Sequence, residues 1–185
     1  ILLISMSWAQ QFSGVDYLIE EAIGERIFPG ATIIIGTETD ILYHNAYGHF
    51  TYNTSSTEVD TNHIFDLASC TKVFATTSCI MRLVDSGLVD IEEKVSTYLP
   101  DFAQNGKEDV RVRNLLLHNS GLRAYYTPSG SQTPEQIINA IFALSLTYPI
   151  GTYEYSCLNF VTLMKVVEAV TDKPMYQFYT EEFTA

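Results

Sequence analysis

Strand-forming sequence in this 185-residue chain is confined to one short stretch in its first third. Residues 31–36 and 41–47 are rich in β-branched and aromatic side chains, and the four polar residues 37–40 between them predict a hairpin turn. The unbroken apolar run at residues 33–35 predicts that the first strand is covered on both faces. An isolated two-stranded ribbon is only marginally stable in water. We therefore expect the hairpin to belong to a larger sheet, completed by sequence beyond residue 185.

Helical patterns dominate the rest of the chain. Apolar residues recur at three- and four-residue spacing in six segments, which are residues 14–27, 71–86, 112–117, 133–146, 158–170 and 175–183. Gly87 is expected to end the second of these in the left-handed conformation, and Thr133 with Gln136 forms a helix-start pattern. Residues 88–99 are expected to be a short helical or extended piece. The predicted fold class is therefore α/β of the α+β kind, with many helices and one antiparallel hairpin.

The charge balance is strongly acidic and argues against polyanionic partners. Ten lysine and arginine residues face 22 aspartate and glutamate residues, which gives a net charge of −12. Binding to nucleic acid or to an anionic membrane needs clustered cations, so neither is expected as a partner. With 46% hydrophobic and 17% charged residues the chain can bury a core, which excludes a disordered protein.

Three cysteines, Cys70, Cys79 and Cys157, form neither a disulfide framework nor a Cys-x-x-Cys zinc pattern. Cys70 and Cys79 fall in one predicted helix, where nine residues place them roughly 13 Å apart, beyond disulfide reach. We therefore expect no metal and no cofactor. Cys70 is expected to be a small buried side chain rather than a reactive thiol.

Both ends of the chain carry signals about its extent. An apolar run leads into the motif Ser7-Trp8-Ala9, which puts small residues at the −3 and −1 positions of a signal-peptide cleavage site. We expect residues 1–9 to be the remnant of a secretory signal, followed by a secreted or periplasmic mature chain with no membrane insertion. The alternative is a partly buried N-terminal strand or helix. At the other end, residue 185 lies inside an amphipathic pattern with no stop signal, so the domain is expected to continue.

Ser69 and Lys72 form the most informative short motif. Ser69 precedes the predicted helix of residues 71–86, and the three-residue spacing lets the two side-chain tips meet across one helical turn. The helix N-terminus favours negative charge that develops near Ser69. A serine beside an amine is one way to activate a hydroxyl without histidine. Taken alone, a helix-capping serine next to an exposed lysine explains the same pattern.

Further motifs surround this pair in a definite order. They are Phe65-Asp66-Leu67-Ala68, Gly87-Leu88-Val89-Asp90, Tyr98-Leu99-Pro100, residues 115–122 with the pattern Leu-Leu-x-His-x-Ser-Gly-Leu, and Tyr155-Ser156. With these motifs the chain resembles the serine β-lactamase and penicillin-binding-protein superfamily. It looks most like the class C-related branch, which includes esterases and D-amino-acid peptidases. The resemblance runs from residue 29 to about residue 180, nearly the whole chain.

The resemblance implies a β-lactamase/transpeptidase-like fold, in which an antiparallel sheet is flanked by helices and joined by an all-helical region. Residues 10–185 would then be a partial catalytic domain that lacks the C-terminal strands of the sheet. Ser69 is implied as the acylated nucleophile, Lys72 as its proton-accepting partner and Tyr155 as a second general base. Packed together, the Lys72 cation should lower the pKa of Tyr155, and burial should lower the pKa of Lys72. The implied substrate is a small-molecule or peptidoglycan-like ester or amide.

The chain departs from the family pattern in two respects. Cys157 stands where the family has an asparagine that binds the substrate amide, so we keep it as a candidate substrate-binding residue that argues against efficient β-lactam hydrolysis. The third family motif, a Lys-Thr-Gly or His-x-Gly triplet after Tyr155, does not occur within the 185 residues. His118 and Ser120 are expected to form a structural turn rather than to take part in catalysis.

Three functional hypotheses follow. The first is an exported serine hydrolase that cleaves an ester or amide through an acyl-enzyme on Ser69. The second is a sensor or acyl-binding domain that becomes acylated but does not turn over. The third is an incomplete piece of the enzyme with no activity of its own. Continuation of the gene into the third motif would separate the first hypothesis from the third, and deacylation kinetics would separate the first from the second.

Overall fold

A computed structural model of the protein describes residues 12–184. The predicted signal remnant at residues 1–9 lies outside the described residues. The chain divides into two compact units, one that extends to Asp66 and one that starts at Leu67. No helix among residues 12–184 is both long enough and apolar enough to cross a membrane.

The first unit consists of one helix and the predicted hairpin. Helix α1 spans Ser13–Gly24, strand β1 spans Gly30–Gly36 and strand β2 spans Ile41–Gly48. The two strands pair antiparallel, with an irregularity at the turn end of β1. Both predicted strands and their connection are therefore confirmed.

Helix α1 contacts one face of the hairpin through a polar cluster. Asp16 of α1 accepts hydrogen bonds from the Tyr43 hydroxyl, from the Tyr47 hydroxyl at 2.7 Å and from the Asn45 amide at 3.3 Å. These three residues alternate along β2, so their side chains point to the same side of the sheet. The hydrogen bonds, that from Tyr43 first, hold the pKa of Asp16 below its usual range and keep the carboxylate charged.

Within the described residues, β1 is covered on one face, whereas the sequence predicts cover on both faces. Ile33 and Ile35 pair with Asn45 and Tyr43, so they lie on the face that α1 contacts. Strand alternation turns Ile34 to the opposite face, where it is 58% exposed. The apolar run at this strand thus has one covered face and one open face.

The second unit is built from helices. A helical run occupies residues 70–85, first as a π-helix over Lys72–Thr77 and then as helix α2 over Ser78–Asp85. The remaining elements are α3 (Val95–Tyr98), a 3₁₀ turn (Pro100–Phe102), α4 (Val112–Leu116), α5 (Pro134–Phe142), α6 (Cys157–Thr171) and α7 (Met175–Phe183). Gly87 has φ +72°, the left-handed conformation predicted for the residue that ends α2.

The π-helical turn differs from the α-helix that the sequence predicts. Thr77 Oγ1 donates to the Lys72 carbonyl at 3.0 Å, and Ser78 Oγ donates to the Val73 carbonyl at 3.4 Å, in each case five residues back. Hydroxyl side chains compete in this way with the regular backbone ladder. Single π turns inside helices occur frequently at functional sites, and this one begins at Lys72.

Helix α5 begins as predicted but ends earlier. Thr133 Oγ1 accepts the Gln136 N–H at 3.3 Å, and Gln136 Oε1 accepts the Thr133 N–H at 2.8 Å, which completes the predicted capping box. The helix ends at Phe142, one turn short of the prediction. The reason is tertiary, because Asn105 Nδ2 donates to the Ala143 carbonyl at 2.8 Å.

Helix α6 forms the centre of the core of the second unit. Its residues Leu163, Val166 and Val167 are completely buried. They belong to one apolar cluster with side chains from the other helices, among them Ile80, Val95, Phe102, Val112, Leu115, Ile141 and Phe178. Burial of one such side chain stabilises the fold by about 1.5–3 kcal/mol. The core therefore holds α6 firmly, including its N-terminal end, where the candidate site lies.

Candidate active site

Ser69 stands where an irregular segment turns into the helical run of residues 70–85. Ala68 before it has φ +44°, a left-handed conformation that is unfavourable for a residue with a Cβ atom. The carbonyls of Leu67, Ala68 and Ser69 each accept the N–H three residues on, at 2.9–3.1 Å. The chain thus enters the helix through tight turns that leave Ser69 exposed. Backbone strain of this kind clusters at functional sites.

Lys72 lies directly beside Ser69, as the spacing predicts. Lys72 Nζ donates a hydrogen bond to Ser69 Oγ at 3.1 Å. Lys72 is partly buried, whereas Ser69 is exposed. The serine oxygen is therefore held next to a cation while it stays open to an incoming molecule.

Tyr155 reaches the same point from the segment that precedes α6. Lys72 Nζ lies 5.4 Å from the centre of its ring, and its hydroxyl is near enough to Ser69 and Lys72 for both to act on its pKa. The hydrogen bond with Ser69 first, and then the one with Lys72, hold the pKa of Tyr155 below the usual range of a phenol. The shift has the direction that the sequence predicts.

The predicted lowering of the Lys72 pKa is wrong. Burial does act to lower it, but the hydrogen bond with Tyr155 and the interactions with Cys157 act in the opposite direction and outweigh burial. The net pKa of Lys72 is raised. Burial is the largest single contribution to the pKa of Lys72, but the contributions of Tyr155 and Cys157 together exceed it.

The start of α6 places Tyr155 and Cys157 on either side of a buried serine. Ser156 caps the helix with its side chain and donates from its hydroxyl to the Arg123 carbonyl at 2.6 Å. Cys157 is the first residue of α6 and partly exposed, and it lies near enough to Lys72 to act on the pKa of that amine. The structure thus brings all four candidate residues into one cluster.

His118 supports this cluster from behind. Its Nδ1 atom accepts the backbone N–H of Ser156 at 3.0 Å, and its ring lies 4.4 Å from the ring of Tyr155. Burial, followed by the charge of Lys72, lowers the pKa of His118, which keeps the imidazole neutral and able to accept that bond. His118 itself has φ +55°. These contacts agree with the packing and hydrogen-bonding role predicted for it.

Ser120 is buried and belongs to the turn rather than to the open cluster. It is 1% exposed, and its hydroxyl donates to Asn159 Oδ1 at 2.6 Å. Asn159, which is completely buried on α6, also lies 3.4 Å from His118 Nδ1 through its amide nitrogen. Sequence analysis missed Asn159, although a polar residue inside the apolar pattern of residues 158–170 was the available signal.

One prediction about a neighbour of Ser69 is wrong. Cys70 is exposed rather than buried, because it is the first residue of the helical run and faces away from the core. Among residues 12–184, no three or more His, Cys, Asp and Glu side chains are grouped so that they could hold a metal ion.

Comparison with known proteins gives a matching family and similar curated proteins. The family model described as "Beta-lactamase" matches residues 15–185. A Bacillus subtilis (strain 168) protein named N-acetylmuramyl-L-alanine amidase is 35% identical over 189 residues, which cover 91% of this chain and 42% of the amidase. The chain thus spans less than half the length of this relative.

Solved structures share the fold at lower sequence identity. A class C β-lactamase superposes with a TM-score of 0.79 at 21% identity, over 98% of this chain and 49% of that protein. A family VIII carboxylesterase superposes with a TM-score of 0.76 at 23% identity, over 93% of this chain and 48% of that protein. Both share the small antiparallel sheet and the helices with the part of the chain that the structure describes.

Proposed function

This chain belongs to the β-lactamase family and has a β-lactamase/transpeptidase-like fold, and we propose that it carries the acylation machinery of a serine hydrolase. In this proposal an ester or amide is cleaved through an acyl-enzyme on Ser69. One observation carries the proposal: Lys72 Nζ donates a hydrogen bond to Ser69 Oγ at 3.1 Å, with Tyr155 beside both side chains. A nucleophile within hydrogen-bond reach of a base is the geometry that acyl transfer requires.

The charge states favour Tyr155 as the group that takes the proton of Ser69. The pKa of Tyr155 is lowered by its hydrogen bonds with Ser69 and Lys72, so the phenolate is accessible nearer neutral pH. The pKa of Lys72 is raised on balance, so Lys72 holds its proton. We therefore assign Lys72 the role of a fixed cation that stabilises the phenolate, and Tyr155 the role of general base.

The proposed acylation then takes place in two steps. Ser69 Oγ attacks the substrate carbonyl carbon and passes its proton to Tyr155, and the start of the helical run at residue 70 favours the negative charge that develops on the carbonyl oxygen. The bond to the leaving group breaks next, and Tyr155 returns the proton to that group. Water hydrolyses the resulting ester with Ser69, which restores the enzyme.

The substrate class follows from the relatives. The similar B. subtilis protein is named as an amidase of N-acetylmuramyl-L-alanine, and the two structures are those of a β-lactamase and a carboxylesterase. We propose a peptidoglycan-like amide or a small ester as the substrate of this chain, and a secreted or periplasmic location in which such a substrate is found. N-terminal sequencing of the natural protein tests export, since a mature start at Gln10 is expected and retention of residues 1–9 contradicts it.

A fluorophosphonate probe tests the nucleophile. In the intact natural protein the probe should label the peptide that contains Ser69, and Ser69→Ala should abolish labelling. Lys72→Ala and Tyr155→Phe should each slow labelling by about 10²- to 10⁴-fold, the usual contribution of acid–base groups. Ser131→Ala, which changes an exposed serine on the loop before α5, is the matched control and should label like the wild type.

Two outcomes would contradict this assignment. The first is undiminished labelling of the Ser69→Ala protein, and the second is a probe that mass spectrometry locates on Ser120, Cys70 or Cys157. The same proteins are also acylated with an activated ester, and release of the acyl group from Ser69 is followed. Turnover supports a hydrolase, whereas stable acylation without release supports the sensor alternative.

A further inference from the structure

A groove runs between helices α5 and α6 of the second unit, away from the residues assigned to acylation. Its volume is about 750 Å³, which falls within the roughly 300–1,000 Å³ of ligand-binding pockets. The two helices form its walls, together with the start of the 3₁₀ turn. None of the four candidate residues of the active site lines it. The groove is therefore a second concave surface that the proposed acylation does not use.

Both walls of the groove present apolar side chains at helical spacing. On α5 these are Ile137, Ile138 and Ile141, and on α6 they are Val161 and Met164. Residues three and four apart share one face of a helix, so each set forms a continuous apolar stripe. All of them except Ile141 are only partly buried. The helices thus leave apolar surface that another apolar stripe could cover.

Exposed carboxylates stand at both ends of the α5 wall. Glu135 lies in the first turn of α5. Asp101 lies near the other end, because the ring of its neighbour Phe102 packs 5.5 Å from the ring of Phe142. Both carboxylates line the groove and are exposed, and among residues 12–184 neither takes part in an ion pair. The apolar stripe of α5 is therefore flanked by two negative charges without a counter-charge.

The α6 wall does not neutralise these charges. Its charged groups are Lys165 and Glu168, whose side chains pair with each other at 2.6 Å. The lining of the groove thus carries two uncompensated negative charges, on Asp101 and Glu135. An apolar partner with positive charges at its ends complements this surface, whereas an acidic partner is repelled.

We propose that the groove between α5 and α6 binds a basic amphipathic helix of a partner protein. The apolar face of that helix lies between the two walls, and its lysine or arginine side chains pair with Asp101 and Glu135. Helix-in-groove recognition uses apolar anchors at three- and four-residue spacing, the same spacing that both walls show. The nine residues of α5 extend over about 12 Å, which fits about two turns of a bound helix. The net charge of −12 attracts a basic partner from a distance.

A synthetic helix of about 12 residues, with leucine on one face and lysine on the other, tests the proposal on the intact protein by fluorescence anisotropy. One control peptide has glutamine in place of every leucine, and a second has glutamate in place of every lysine. We expect only the leucine–lysine helix to bind. Asp101→Asn combined with Glu135→Gln should weaken its affinity about tenfold, or about threefold for each lost charge pair. Glu38→Gln combined with Glu108→Gln is the matched control, because it removes two exposed charges outside the groove, and should bind like the wild type.

Hydrogen exchange locates the bound peptide, and protection should increase in α5 and in residues 161–168 of α6. Failure of the leucine–lysine helix to bind the intact protein overturns the inference, including the case in which another segment or a second copy of the chain covers the groove. Equal binding of either control peptide overturns it, and so does unchanged affinity in the Asp101→Asn, Glu135→Gln protein. Ser69→Ala should bind the peptide like the wild type. A wild-type protein that binds the peptide but is not labelled at Ser69 therefore contradicts the proposed function and leaves this inference supported.

Discussion

At the scale of single residues, Lys72 and Tyr155 shift each other's protonation in opposite directions. The hydrogen bonds of Tyr155 with Ser69 and Lys72 lower the pKa of the phenol, while contact with Tyr155 and Cys157 outweighs burial and raises the pKa of the amine. Bringing the two together therefore favours the state with a charged lysine and a charged phenolate. The proposed base and the proposed cation are thus two groups that both titrate near pH 10 when free.

The pH dependence of acylation tests this division. The labelling rate of Ser69 should rise with pH as Tyr155 loses its proton, and because the pKa of Tyr155 is lowered, the rise should occur below the usual range of a phenol. Tyr155→Phe should remove that rise and slow labelling by about 10²- to 10⁴-fold. Tyr153→Phe is the matched control, because Tyr153 is 70% exposed and lies two residues away. A Tyr155→Phe protein with the wild-type profile would show that another group takes the proton.

At this scale, the sequence predicts contacts between residues that are close together in the chain better than contacts between distant segments. The contact between Ser69 and Lys72 follows from three residues of helical spacing, so it could be predicted without tertiary information. The raised pKa of Lys72 depends on Cys157 and Tyr155, which come from a segment more than eighty residues away in the chain. The exposure of Cys70 and the role of Asn159 likewise depend on packing between helices, which spacing along one helix does not encode.

At the scale of elements, the loop after the 3₁₀ turn is tied to the end of α5 by a buried lysine. Lys107 is 1% exposed, and its Nζ atom donates to the Gln104 carbonyl at 2.6 Å and to the Leu144 carbonyl. The amine also lies 5.5 Å from the ring centre of Phe102. Carbonyls that follow α5 thus find donors outside the helix, which explains why α5 ends before the apolar pattern does.

Lys107→Met should destabilise the chain, because two backbone carbonyls lose their donor, at a cost of about 1–3 kcal/mol in the free energy of unfolding at pH 7. Burial lowers the pKa of Lys107, so the unfolded state binds more protons than the folded state between that lowered value and pH 10.5. The wild type should therefore gain stability relative to Lys107→Met as pH rises through this window. Urea unfolding at pH 7 and pH 10 measures both effects.

Lys94→Met is the control for this comparison. Lys94 is a partly exposed lysine that pairs with the exposed Asp109 at 2.7 Å, a kind of surface contact that contributes little to stability. Its replacement should change the free energy of unfolding by much less than Lys107→Met does. Equal stability of the Lys107→Met protein and the wild type at both pH values would show that the buried amine is not a structural tie.

At the scale of the whole molecule, the helices and the hairpin could be predicted because each follows from the spacing of apolar residues over a short stretch of sequence. The strands differ from their predicted bounds by one residue at most, and α6 and α7 lie where the apolar spacing puts them. Burial was less predictable, because it depends on which layer covers each face. Ile34 shows this, since the apolar run is correct as a strand but half of it faces outward. Within residues 12–184, β1 pairs only with β2.

That outward face should make the 185-residue chain self-associate. Ile34 is 58% exposed on a sheet whose outer edges are unpaired within the described residues, which is the arrangement that promotes edge contacts. We expect concentration-dependent association in sedimentation velocity, and Ile34→Lys should reduce it. Thr54→Lys, on an exposed loop, makes the same charge change and is the control. Both substitutions bring the net charge of −12 closer to zero and so weaken the repulsion between copies of the chain. This change in charge alone would increase association in both proteins. A fall in Ile34→Lys only would assign the contact to the apolar face, whereas a wild-type chain that stays monomeric at high concentration would contradict the prediction.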